Sequence, residues 1–204
     1  MAEAALTKRA IANSLKELSE ETAFDKISVG DISTRCRINR QTFYYHFQDK
    51  YDLLTWIYYE DYFNPNLVDV SLENWDSCMC GLLTSLRKDR AFCVNTIKHA
   101  GEDMIRIFLA DTEELLSRAL EYMISQPEAA GRYLRSVDQE EQRFIARFFA
   151  YGVCGMVIEW VQTGMKEDPG IVSSRMRILL ESCKQLAFHR VQNEKKENEN
   201  ETEN

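Results

Sequence analysis

The sequence predicts an all-α protein: an N-terminal three-helix helix-turn-helix domain followed by a C-terminal helical bundle. Three observations carry that expectation. Only 3 prolines and 8 glycines interrupt 204 residues, which leaves room for long helices and few turn formers for a sheet protein. Apolar residues recur at spacings of three and four along most of the chain. Near the N-terminus two short helix patterns flank a three-residue turn.

The elements follow in order. Leu6 to Leu18 places Ile11, Leu15 and Leu18 on one helical face. Ser28-Val-Gly-Asp31 fits a capping box and opens a short helix that buries Val29, Ile32 and Cys36. Arg37-Ile38-Asn39 reads as a tight turn, with Asn39 as N-cap of a helix from Arg40 to Phe47. A fourth helix starts at the acidic cap Asp49, and Asn64-Pro65-Asn66 is expected to break it. Further helices are expected at about 75–88, 90–99, 102–126, 138–165 and 171–190, with Gly101, Pro127, Gly131, Gly164 and Pro169-Gly170 between them. The domains predicted are 1–62 (helix-turn-helix), 63–192 (effector-binding and dimerisation) and 193–204, a disordered acidic tail without apolar residues.

Charge separates these regions. The chain carries a net −8, yet residues 26–50 hold five Lys and Arg against two Asp, a local +3 on an acidic body. That asymmetry suits a protein of which only one end meets phosphate. Composition is 45% hydrophobic and 28% charged, the balance of an ordinary soluble protein. No apolar run is read as approaching the roughly 18 residues of a membrane span, and the opening MAEAALTKRA lacks the pattern of a signal sequence. A cytoplasmic protein with no membrane partner is expected.

The helix 40–47 is the candidate DNA reader. Phe43 and Phe47 define its buried side, so Gln41, Thr42 and Tyr45 fall opposite, with Tyr44 at the edge. Gln pairs bidentately with adenine and Arg40 with guanine, and Thr contacts polar base edges or a thymine methyl. Tyr44, His46 and Lys50 suit phosphates; Ser28 and Arg37 complete the expected DNA-facing set. The competing view makes Tyr44 and Tyr45 packing aromatics of an ordinary three-helix bundle.

The run Lys26-Ile-Ser-Val-Gly-Asp-Ile32, followed by Ile38-Asn-Arg-Gln-Thr-Phe-Tyr-Tyr-His-Phe-Gln-Asp-Lys50, resembles the N-terminal domain of the TetR family. Thr42, Phe43, Tyr44, His46, Phe47 and Lys50 occupy the places of that family's pattern. The resemblance covers about residues 6–60 and departs at Arg37, where many members have glycine, and at Gln41, where they have a small residue. It implies that Gln41, Thr42 and Tyr45 face bases while Tyr44, His46 and Lys50 hold the backbone. It further implies a ligand-responsive repressor on double-stranded DNA with an unknown small-molecule effector. The run Arg-Gln-Thr-Phe-Tyr also resembles the branch containing regulators of dihydroxyacetone kinase.

In the C-terminal body, two helices are expected to build a symmetric homodimer interface from Phe149, Val153, Met156 and Trp160 with Met176, Leu179, Cys183 and Leu186. Gly152 and Gly155 would admit a close helix approach. A purely intramolecular bundle is the alternative. Twofold symmetry would set the recognition helices about 34–36 Å apart, over a palindromic operator. Trp75, Cys78, Leu82, Phe92, Met104, Phe108 and Leu115 are candidate pocket residues or plain core.

Nothing in the sequence signals an enzyme. Among His46, His99 and His189 no catalytic or zinc motif forms, and no cofactor or metal is expected. Glu102-Asp103 and Glu113-Glu114 near helix starts favour the helix dipole without a catalytic role. Two alternatives remain: a zinc- or thiol-responsive regulator using some of Cys78, Cys80, Cys93, His99 and Cys154, or a helical protein-interaction module that binds no DNA.

Overall fold

Helix α1 (Ala2–Glu21) turns Ile11, Ala12 and Leu15 wholly inward, as the three-and-four spacing requires. The structure, a computed structural model, describes residues 2–67, 74–100, 102–125 and 138–183, and no strand occurs among them. A 3-10 turn, Phe24–Lys26, drops Phe24 into the core. In α2 (Val29–Cys36) the capping box forms: Asp31 N donates to Ser28 Oγ at 3.2 Å, and Ser28 N donates to Asp31 Oδ2 at 2.8 Å. Asn39 caps α3 (Arg40–His46), accepting from Thr42 N at 2.7 Å. Asp49 caps α4 (Lys50–Tyr58), accepting from Tyr51 N and Asp52 N.

Asn64-Pro65-Asn66 does not break the fourth helix. The chain runs from α4 through a π turn, Tyr59–Phe63, directly into α5 (Asn64–Leu67). A proline ring clashes with the carbonyl four residues back, and the wider π turn accommodates it. Asn66 Nδ2 donates to Tyr62 O at 2.7 Å and to Ser85 Oγ at 3.3 Å, which ties the widened turn to the next helix. This contact needs a glycine opposite, because a Cβ on Gly81 would lie 2.5 Å from Asn66 Oδ1.

The second half consists of α6 (Trp75–Lys88), α7 (Arg90–His99), α8 (Glu102–Ser125), α9 (Gln139–Gln162) and α10, residues 169–183. α9 packs along α8 and α7. A left-handed turn at Gly164 and Met165 reverses the chain towards α10, and Arg90 Nε donates to Gly164 O at 3.0 Å to hold it. Buried side chains from Ile11 to Met176 form one continuous core. By length and composition alone, Gln139–Gln162 would suffice to cross a membrane, against the expectation that no apolar stretch approaches that length.

The candidate dimer residues divide between two faces. Val153, Trp160 and Met176 are buried in this chain's own core, and Phe149 is partly buried against it. Contacts within the chain thus cover the stripe expected at the dimer face, at Val153, Trp160 and Met176 and in part at Phe149. The outward strip of α9 is instead Phe144, Phe148, Tyr151 and Met156, with open space over Gly152 and Gly155. Leu179 and Cys183 of α10 are exposed, whereas Leu186 and the tail 193–204 lie outside the described residues.

Candidate nucleic-acid interface and the cavity behind it

Burial of Phe43 and Phe47 fixes which way α3 faces. Phe47 also packs on Trp56 with ring centroids 5.7 Å apart, so the helix cannot roll without opening that contact. The opposite side presents Arg40, Gln41, Tyr44 and Tyr45 to solvent; Tyr45 is 83% and Tyr44 57% exposed. An aromatic ring so exposed is costly to leave in water, which argues for a surface that becomes covered. Thr42 and His46 are half-buried at the edges of this face; Thr42 Oγ1 donates to Asn39 Oδ1 at 3.0 Å. The Arg40 guanidinium lies over Gly30, where an added Cβ would come within 2.5 Å of it.

Two expected DNA contacts, Ser28 and Lys50, have other work in this structure. Ser28 Oγ donates to Asp31 Oδ2 at 2.6 Å while accepting from Asp31 N, so the hydroxyl is engaged in its cap. Hydrogen bonds from Ser28 hold the Asp31 carboxyl below its ordinary pKa, with Arg40 adding to the effect. Lys50 Nζ donates to the carbonyls of Phe24, Asp25 and Ile27 at 2.8, 3.1 and 2.8 Å and sits 4.7 Å from the Phe24 ring centroid. All three ammonium protons are therefore turned inward onto the 3-10 turn, and partial burial lowers the pKa of this lysine. Arg37 is exposed but adopts the left-handed conformation (φ 58°, ψ 39°) that closes α2. For a non-glycine residue that conformation costs about 1–2 kcal/mol, and it marks the place where the family's glycine is missing.

Behind the reader domain lies a junction that sequence reasoning missed. Asn95 of α7 accepts from Phe24 N at 2.9 Å and donates to Ser19 O and Thr22 O at 2.6 and 2.7 Å. Lys16 of α1 pairs with Asp61 of the π turn at 2.7 Å and with Asp89 at 2.5 Å; Asp89 also accepts from Tyr62 OH at 2.8 Å. Burial opposes the charge on Lys16, but hydrogen bonds to the two carboxylates raise its pKa above the ordinary value. Asp89, against its own desolvation, is held below the usual carboxylate range by Lys16 and Tyr62. Arg9 also pairs with Asp61 and stacks 5.0 Å from the Trp56 ring centroid.

A cavity of about 230 Å³ opens between α4, the π turn, α6, α8 and α9. Trp75, Leu82 and Phe108 line it, as expected. Phe92 is buried behind Tyr58, ring centroids 5.9 Å apart, and Cys78 is half-buried outside the lining. The side chains of Met104 and Leu115 lie outside the described residues. The missed lining includes Tyr58 and Tyr59, expected in the reader domain, and Val153, expected at the dimer face. Among the described residues no three His, Cys, Asp or Glu are placed to hold a metal ion. Burial pushes the Cys93 thiol up to about 12, and Cys154 Sγ lies 3.0 Å from Thr112 Oγ1.

Comparison with known proteins names this arrangement. Residues 11–55 match the model for bacterial regulatory proteins of the tetR family, and residues 73–182 match a transcriptional regulator C-terminal region of the same family. The chain belongs to the TetR family. Its relatives include the HTH-type dhaKLM operon transcriptional activator DhaS of Lactococcus lactis subsp. lactis (strain IL1403), 29% identical over 164 residues, 80% of this chain and 84% of that protein. A solved structure of the dihydroxyacetone kinase operon activator DhaS covers 88% of this chain and 97% of its own, at TM-score 0.66 and 25% identity. The fatty acid degradation regulator FadR from Bacillus halodurans shares the fold, with TM-score 0.53 and 15% identity over 85% of this chain and 94% of that one. This TetR-family protein is thus a DNA-binding transcription regulator with an all-helical fold, and its relatives are regulators rather than enzymes.

Proposed function

We propose that this TetR-family regulator acts as a homodimer on a palindromic operator, in the cytoplasm, and that a small molecule in its cavity sets its DNA affinity. The observation that carries sequence-specific reading is the outward face of α3, where Gln41, Tyr44 and Tyr45 stand exposed on a helix locked by Phe43 and Phe47. Gln41, Thr42 and Tyr45 contact base edges, and Arg40 takes a guanine at the helix start. Tyr44, His46 and Arg37 hold phosphates. Ser28 and Lys50 keep their internal bonds and position the reader from behind. The homodimer is supported by the exposed apolar strip of α9 and the open space over its two glycines. Support for ligand control comes from α4, which buries Leu53, Leu54 and Ile57 in the reader domain and lines the cavity with Tyr58.

The DhaS relatives are activators, and we take activation in preference to the repression first expected. The sign then depends on where the operator lies relative to the promoter.

The test is binding to the DNA upstream of the protein's own gene at two salt concentrations. Tyr45→Ala and Gln41→Ala should each weaken the specific site by about 1–3 kcal/mol, roughly tenfold or more, with little change on unrelated DNA. Variants that bind the specific site like the unmodified protein would remove α3 as the reader.

A further inference from the structure

Among the described residues the cavity wall holds one acid and one base, and they neutralise each other. Glu114 and Arg118, one turn apart on α8, form an ion pair at the rim, and both are well exposed. Every other lining residue among those described is uncharged at neutral pH. The inner polar groups are mostly engaged. Tyr58 OH meets Thr96 Oγ1 at 2.8 Å, and Thr112 Oγ1 donates to Phe108 O at 2.7 Å. The Trp75 indole N–H is buried and has no hydrogen-bond partner among the described residues. Aromatic edges make up one side: Tyr58 and Phe63 meet the Phe108 ring at centroid distances of 4.8 and 5.4 Å.

We propose that this cavity takes an uncharged, largely apolar ring compound, and that the Glu114–Arg118 pair sets the preference by cancelling charge at the mouth. The proposal rests on the ligand-responsive function above and adds the chemical class of the ligand. An anion reaches Arg118 only by displacing Glu114, whose carboxylate then repels it; a cation meets the mirror problem. A small polyol would exchange water for a wall that is mostly apolar, and unpaired buried hydroxyls are penalised. At about 230 Å³ the space is smaller than the roughly 300–1,000 Å³ typical of drug-sized ligands, so the occupant is smaller too.

The experiment uses one ring system with three charges: 2-naphthol, 2-naphthoate and 2-(aminomethyl)naphthalene, titrated into the full chain by calorimetry at neutral pH, with glycerol as the polyol. 2-Naphthol should bind at least about tenfold more tightly than either ion, and glycerol should give no binding heat. Glu114→Gln should raise affinity for 2-naphthoate about threefold, and Arg118→Gln should do so for the ammonium probe. Val157→Trp should fill the space and abolish 2-naphthol binding. If that variant does not fold, the two exposed rim variants still decide. An ion that equals or exceeds 2-naphthol, or rim variants that leave the order unmoved, would overturn the proposal. DNA binding is measured in parallel. If 2-naphthol binds as expected without changing DNA affinity, the ligand class stands and ligand control falls. If no probe binds to protein that still holds its DNA, the proposed ligand class falls and the DNA-reading function stands.

Discussion

Phe24 N donates to Asn95 Oδ1 at 2.9 Å, joining the turn before the reader's helix pair to the middle of α7 in the body. The same amide donates to Ser19 O and Thr22 O, so one side chain satisfies three main-chain groups where α1 ends. Asn95→Leu should therefore cost about 1.5–4.5 kcal/mol, three bonds at roughly 0.5–1.5 each. A lowered thermal midpoint together with weaker operator binding is the expected outcome. An unchanged midpoint would mean that water replaces the amide without loss.

Lys16 and Asp89 make stability depend on pH in a definite direction. The depressed carboxyl of Asp89 stabilises the fold above the unfolded value of about 3.9, and that contribution is lost as pH falls through the lower folded value. The raised Lys16 contributes fully below about 10.4 and loses its share only as pH rises through the higher folded value. Both act at neutral pH. Asp89→Asn should melt earlier than the unmodified chain at pH 7, and the gap should narrow towards pH 3. A gap of constant size would assign Asp89 a role independent of its charge.

Lys50→Met separates positioning from phosphate contact. With its three donors on the carbonyls of Phe24, Asp25 and Ile27, the variant should lose about 1–3 kcal/mol of stability. The dependence of DNA affinity on salt should keep its slope. A slope flattened by about one phosphate's worth would return Lys50 to the backbone-contact role read from the sequence.

What was legible in the sequence was what depends on near neighbours. The Ser28–Asp31 box, the Asn39 and Asp49 caps and the outward face of α3 each rest on residues within one or two turns, and all stand in the structure. Long-range pairings were not legible. Whether Lys50 points to solvent or to the Phe24 turn depends on residues more than twenty positions away. α9 is apolar on most sides, so periodicity alone does not say that Val153 and Trp160 turn inward while Phe148 and Tyr151 turn out. Pro65 misled for a related reason: a π turn absorbs a proline that an α-helix would not.

Arg37→Gly should stabilise the reader domain. The left-handed turn costs an arginine about 1–2 kcal/mol, offset in part by the roughly 0.5–1 kcal/mol of extra freedom glycine has when unfolded. The net gain is up to about 1.5 kcal/mol, and each 1 kcal/mol would raise the midpoint by about 2–4 °C in a chain of this size. Arg37→Val should lower it, since a branched Cβ resists positive φ. Weaker DNA binding by the more stable Arg37→Gly protein would show that the arginine is retained for contact with phosphate.

Phe148 is 67% exposed on a helix whose neighbouring surface is Phe144, Tyr151 and Met156. A strip of that kind beside Gly152 and Gly155, where among the described residues nothing beyond the helix itself lies within 4 Å of an added Cβ, suits close approach of a second helix. Stable interfaces bury about 1,200–2,000 Å² and are sensitive to a charge placed at their centre. Phe148→Glu should convert a dimer to a monomer in sedimentation, with the thermal transition of the separate chain intact because the ring lies outside its core. The monomer should also lose the cooperative filling of two half-sites, since nothing would then hold two α3 helices about 34–36 Å apart. An unmodified chain that sediments as a monomer would place the partner of this strip elsewhere, and a Phe148→Glu protein that remains dimeric would move the interface to another face.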